Sequence, residues 1–532
     1  MRISRRRWLA YGILGIWIAV VAVHVRREYF RPLALVLAEG AARLAPGSTF
    51  YLARMGDRAI GMATARIDTL TDGYLAEDFL TLDVPALGAV HRAVAQTRVE
   101  LTNSLGMKAF DFSLDSEVGR FAVHGEARGD SVLELEIGAG AERQRTTLEL
   151  GDGLILPTAL PLRLAAAGRL EVGEALQIRL FDPSTLAPRD VEIRVTDHET
   201  MMVADTAVWD TVAGEWVPVP DTLRAWRLEE SFGGISVASW VDEDGRLIRA
   251  ESPLGFTLER MPYELAIVEW RRSQGDSMPS AGYGAVIEGT AIASDVDLGA
   301  VGTFDRLAVR LLDVELDGFD LSGGRQSLRG DTLFITRESM AGHDPGYALP
   351  YDGGGAVAAE LAATPLVQAD DPRIVRLARE IAGGTRDPLV AARLLNDWVY
   401  ANLEKDVTLS VPSAVQVLES RVGDCNEHTV LYVALARALG LPARTAAGLV
   451  HIRGRFYYHA WPEVWLGRWV AVDPTLGQFP ADASHLRFLV GGLARQVELV
   501  RLIGRLRLET VETAAVLVPP GESTARGVDT EH

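Results

Sequence analysis

The sequence predicts an α+β protein in which a long β-rich region precedes a block of helices and a second, shorter sheet. Three observations carry this expectation. Between Ser48 and about Pro350, short runs of alternating apolar and polar residues are separated by Asp-Gly, Gly-Asp and Gly-Gly turns. After Pro365 the apolar spacing becomes that of amphipathic helices. From Arg444 onward the period of two returns in runs joined by Arg453-Gly454 and Gly467.

The chain of 532 residues is long enough for several domains, and its 48% apolar content with Gly 51 and Pro 24 excludes a mainly disordered or collagen-like chain. One cysteine, Cys425, permits no intrachain disulfide and no Cys-rich metal site. The net charge of −19 makes nucleic acid an unsuitable partner. Its distribution is uneven: residues 1–31 hold seven Arg and one Glu, a local +6 that leaves −25 for the rest.

That basic start brackets Trp8 to Val23, a 16-residue run without charge. At 1.5 Å per residue it reaches about 24 Å, close to the roughly 30 Å of a bilayer core. The run ends in Val-His-Val-Arg-Arg-Glu, not in a small-x-small cleavage site, which favours an uncleaved N-terminal transmembrane helix over 1–31 above a cleaved signal peptide. Four Arg before the run and three after it place the N-terminus in the cytoplasm and the body outside, periplasmic in a Gram-negative cell, on a single-pass protein of the cytoplasmic membrane. The lipid bilayer is then a partner. Residues 32–47 read as a juxtamembrane segment closed by Pro46-Gly47.

The β-rich region divides into 48–274 and 280–350, with a polar break at Gln274-Gly-Asp-Ser-Met-Pro279. Runs such as Ser131-Val-Leu-Glu-Leu-Glu-Ile137 and Val191-Glu-Ile-Arg-Val195 alternate as half-buried strands do. Neither part shows a local metal-ligand cluster or a phosphate-binding loop, so scaffold or binding surface is the expected role.

Helices follow in the next domain, 366–518. Asp371-Pro372 opens the first and Asp387-Pro388 the second, each with Asp as N-cap and Pro at the first helical position. In the second, Leu389, Val390, Leu394, Leu395, Trp398, Val399 and Leu403 form an apolar stripe. A further helix runs from Cys425 to Leu439 and ends at Gly440-Leu-Pro442; nearly all its polar residues lie in the first turn, so the rest is buried. Residues 519–532 read as a disordered tail.

The chemistry gathers at that helix start. Cys425 occupies the first helical position, with Asp424 as cap and Glu427 placed to close a capping box. Free N–H groups and the helix dipole are expected to lower the thiol pKa below about 8.5. The alternative is a cysteine that is only a small buried hydrophobe. Strand periodicity puts Tyr457, His459 and Trp461 on one face, and Trp469, Ala471 and Asp473 on another. If both faces turn toward the helix start, His459 can take the Cys425 proton and Asp473 can orient the imidazole. His428, one turn from Cys425, is a rival base or a packing residue; Gln416 is an oxyanion-hole candidate and Trp461 a cleft wall or core residue.

Gly423-Asp-Cys-Asn-Glu-His428 with Leu435-Ala-Arg-Ala-Leu-Gly-Leu-Pro-Ala-Arg444, His459-Ala-Trp461 and Trp469-Val-Ala-Val-Asp-Pro-Thr475 together resemble the transglutaminase-like superfamily of papain-like cysteine enzymes, in a bacterial membrane-anchored form. The resemblance covers about 370–480. It implies a papain-like fold and acyl transfer from protein or peptide amides through a thioester, with Cys425, His459 and Asp473 as catalytic triad. Peptidase or amidase hydrolysis is the expected outcome, cross-linking by amine transfer an alternative, and a non-catalytic assembly or binding module that retains the fold another. No cofactor and no metal is expected.

Overall fold

The computed structural model describes residues 33–515 apart from 87–88, 118, 130–131, 140–141, 150–154, 253–254, 276–291, 295–303, 407–410, 453 and 503–504. The expected anchor over 1–31 and the expected tail over 519–532 lie outside the described residues. Among these, no helix is long and apolar enough to cross a membrane. The helix Pro388–Asn402, with 15 residues, is about 22 Å long. The expected single-pass topology, the bilayer as partner and the location in the cytoplasmic membrane find no support among the described residues, where no helix spans a bilayer.

Fourteen strands between Gly47 and Arg260 form one antiparallel sheet. The first, Gly47–Met55, lies in its interior, and seven successive strands add outward from it to an edge at Glu142–Glu149. The chain then crosses to the opposite edge, Ala175–Asp182, and returns inward until Phe256–Arg260 pairs with the first strand. Alternation sets the buried face: Leu133, Leu135 and Ile137 are buried, with Glu134 and Glu136 between them. The turn before Leu247 is held by Asp242, whose carboxylate accepts from the N–H groups of Asp244 at 3.1 Å and Arg246 at 2.8 Å. The short helix Leu160–Ala166 joins two cores: Leu162 packs with Phe110 and Phe121, while Leu160 and Leu164 pack with Val191, Ile193 and Leu228.

Two strands of this sheet outrun their neighbours. Ala187–Asp210 and Glu215–Phe232 pair from Glu192 opposite Ser231 out to Asp210 opposite Glu215, but the outer strand beside the first reaches only Arg194, and the one beside the second only Trp226. Their far end is a two-stranded arm.

In the C-terminal region the helices Pro372–Ala382, Pro388–Asn402 and Ala414–Ser420 surround the helix Cys425–Ala438. Val430 to Ala436 of that central helix are all buried, as its apolar circumference requires. The Pro388–Asn402 helix presents Ala391, Ala392, Leu395 and Val399 to the core, a narrower stripe than the sequence suggests, since Val390 (44%) and Leu394 (38%) are exposed. Against the central helix lies a sheet in the order Ile292–Ala293, Arg455–Trp465, Ala443–Ile452, His485–Val490, with Trp469–Ala471 also on Arg455–Trp465. A four-stranded sheet of Phe304–Leu312, Gln326–Arg329, Thr332–Thr336 and Arg507–Ala515 covers its other side, where Leu307 and Val309 share a core with Leu449, Leu486 and Phe488.

Candidate functional site

The central helix starts as its sequence dictates. Asp424 is the N-cap: its Oδ1 accepts from the Asn426 N–H at 2.9 Å, and Glu427 Oε2 accepts from the Asp424 N–H at 3.1 Å, which completes the capping box. Cys425 therefore sits where expected. Its thiol does not behave as expected. Burial pushes the Cys425 pKa well up, and the neighbouring Asp424, Glu427 and Asp473 carboxyl groups push the same way, against a single opposing N–H from Ala460. Asp424 is itself driven well above the usual carboxylate range by burial and by Glu427. The acids that cap the helix thus oppose the thiolate that its dipole favours.

The strongest polar cluster lies on the sheet. His459 Nε2 is 2.8 Å from Asp473 Oδ2, and His485 Nε2 is 2.9 Å from the same oxygen. The other ring nitrogen of His485 meets Asp482 Oδ1 at 3.2 Å. Register brings them together: Gly448 is paired with His459 on one side and Arg487 on the other, so both histidines flank one strand. Asp473 is fully buried, and its second oxygen accepts from the N–H groups of Thr475 at 2.8 Å and Leu476 at 3.0 Å. Burial alone would raise its pKa, yet His459 and His485 hold the carboxyl far below the ordinary range. Burial works against the charged form of His485, but Asp473 and Asp482 outweigh it and raise its pKa. With carboxylates at both ring nitrogens, both must donate, which only the imidazolium does. His485 and Asp482 are missing from the sequence reading.

The remaining candidates are all buried. His428 is fully buried, and burial lowers its pKa; Nδ1–H donates to the Asp424 carbonyl at 2.7 Å, while Nε2 has no partner. This imidazole closes the first helical turn and makes no described bond to Cys425. Gln416 is buried with an unpartnered Oε1, and its Nε2 lies 3.0 Å from where a side chain at Gly119 would begin, so it faces the fourteen-stranded sheet. Trp461 is fully buried and stacks on His459 with ring centroids 6.1 Å apart. A cavity of about 220 Å³ is lined by Asn426 and Thr429 together with Leu186, from a turn between two strands of the large sheet.

Residues 375–474 match the Transglutaminase-like superfamily model, Transglut_core. This segment is a domain of that papain-like fold, as its motifs suggest. No curated protein matches the chain. Among solved structures, a candidate cysteine protease from Cytophaga hutchinsonii is 16% identical, with 42% of this chain and 92% of that one covered and a TM-score of 0.26. A β-barrel-like protein of a domain of unknown function from Brucella abortus is 14% identical over 41% of this chain and 97% of that one, with a TM-score of 0.31. The periplasmic domain of TgpA from Pseudomonas aeruginosa is 15% identical over 35% and 81%, with a TM-score of 0.23.

This geometry does not support the expected Cys-His-Asp triad or, with it, the expected membrane-anchored cysteine enzyme. Among the described residues, the group whose ligand-type atoms lie within 4.8 Å of one another is His459, Asp473 and His485, with no cysteine. No described hydrogen bond joins Cys425 to His459. These three residues have the donor types of a metal site, but His459 and His485 are already hydrogen-bonded to one Asp473 oxygen, and the other ring nitrogen of His485 faces Asp482.

Proposed function

We propose that this chain is a non-catalytic binding and assembly module that retains a transglutaminase-like fold. The observation that carries the reading is the makeup of the buried polar cluster: its histidines are engaged by Asp473 and Asp482, and it contains no thiol. Desolvation of the half-buried Cys425 and the neighbouring Asp424 raise the thiol pKa, which works against the thiolate that attack on an amide needs.

The two-stranded arm favours a protein or peptide partner. Val208, Trp209, Val212, Val217 and Val219 are exposed, Val212 almost completely (96%), and Trp209 meets Trp216 edge to face at 5.5 Å. Apolar residues on a paired ribbon at this density mark an interaction surface. Asp197, Glu199, Asp205, Asp210, Glu215 and Asp221 accompany them, with no Lys or Arg between Val195 and Leu223. The partner that complements the arm offers an apolar groove with a basic rim.

The test uses the full chain with fluorescent peptide amides, with and without a labelled primary amine. Neither hydrolysis nor amine incorporation is expected, and iodoacetamide should modify Cys425 appreciably only above the free-thiol midpoint of about pH 8.5. Turnover that Cys425→Ser abolishes overturns the reading.

A further inference from the structure

The fourteen-stranded sheet contains a cavity of about 290 Å³. Its floor follows from register and residue size. Thr49, Ala65 and Asp78 lie side by side on three adjacent strands, and Tyr51, Ala63 and Leu80 form the next row. The alanines leave space that larger side chains would fill. Pro161 and Leu162 of the helix Leu160–Ala166, with Thr158 just before it, roof the space.

One group in this mostly apolar space is out of keeping. Asp78 bonds to the Thr158 side chain, and no described Lys or Arg forms an ion pair with it. The two arginines at the cavity are engaged elsewhere, Arg66 with Asp68 at 2.7 Å and Arg246 with the Ala45 carbonyl. An acid in a mostly apolar cavity without a cation is disfavoured when ionised, and desolvation raises the pKa of the half-buried Asp78 accordingly. A cation delivered by a ligand relieves that penalty, while the alanine-lined floor accepts an apolar body. The volume is roughly twice that of a 150 Å³ cavity that accepts benzene, which suits a ligand of about ten non-hydrogen atoms.

We propose that this cavity binds a small apolar amine, its ammonium group on Asp78 and its hydrocarbon part over Ala63 and Ala65. The site is independent of the C-terminal domain and of the role assigned to it.

Isothermal titration of the full chain with n-octylamine, n-octanol and octanoate tests the assignment. Octylamine should bind tightest, octanol more weakly, and octanoate least, since its carboxylate would face Asp78. Asp78→Asn should weaken octylamine roughly ten- to a hundredfold, the range for a hydrogen bond to a charged group, and leave octanol nearly unchanged. Ala65→Leu, which fills the floor, should abolish binding of octylamine and octanol, with an unchanged circular dichroism spectrum as the control for folding. Octanoate binding as well as octylamine, or octylamine binding equally to wild type and Asp78→Asn, overturns the proposal. So does retention of octylamine by a folded Ala65→Leu variant.

Discussion

His485 is held by acids at both ring nitrogens, Asp473 at 2.9 Å and Asp482 at 3.2 Å, in a site without water-exposed surface. The arrangement ties stability to pH. Because its folded pKa is raised, His485 contributes stability that is fully present below its unfolded value of about 6.5 and is lost as pH rises through the folded value. Asp473 is depressed, so its contribution is present above about pH 3.9 and is lost as pH falls through its folded value. Together they place the best stability of this cluster between about pH 4 and 6.5. His485→Gln leaves two buried acids short of their cation and should cost about 3–5 kcal/mol near pH 5.5, with a smaller difference at pH 8.5. Thermal denaturation of both proteins at the two pH values measures this. A gap between wild type and variant that is equal at both pH values would show that His485 is not held charged.

At the scale of elements, the start of the Cys425–Ala438 helix is legible in four consecutive residues, because a capping box is a local pattern. The strands are legible for the same reason: alternation such as Leu133, Leu135 and Ile137 needs no knowledge of the partner strand. The sign of the Cys425 shift is not, since the dipole argument counts N–H groups and leaves out the desolvation that tertiary packing imposes, and since Asp473 joins the local Asp424 and Glu427 only through the fold. His485 escapes notice because it lies on a strand brought beside Ala443–Ile452 by sheet order, 26 residues beyond His459. Glu463 is a similar case. It anchors the sheets: it accepts from Arg487 at 2.8 Å and Arg444 at 2.6 Å, while Arg487 also donates to the Asp320 and Gly323 carbonyls. Glu463→Ala leaves Arg487, only 3% exposed, with a buried uncompensated charge, and should destabilise by about 3–5 kcal/mol. Chemical denaturation checks this; a loss below about 1 kcal/mol, the worth of a surface pair, would place the pair among surface salt bridges.

Over the whole molecule, the large sheet and the C-terminal region are packed against each other. Val411, from the loop before Ala414–Ser420, is buried in the same core as Phe110, Phe121 and Leu133 of the sheet, and Leu366 and Leu493 pack against that core. At a second point the sheet turn at Gly233 and Gly234 abuts Glu498 and Arg501 closely enough that a side chain at Gly234 would come within 2.5 Å of Arg501 Nε. Apolar burial at the first point is the main source of coupling, because it removes hydrocarbon from water, whereas the second is a close approach of polar chains. Val411→Asp puts an unpaired carboxylate into that core at the point where the C-terminal region enters it. Differential scanning calorimetry of the full chain should then show two separate transitions where wild type shows one, with the far-ultraviolet circular dichroism spectrum preserved at 25 °C. If the variant instead melts in one transition at a lower temperature, the two regions form a single cooperative unit that Val411 stabilises as a whole, and independent docking of two folded bodies is refuted.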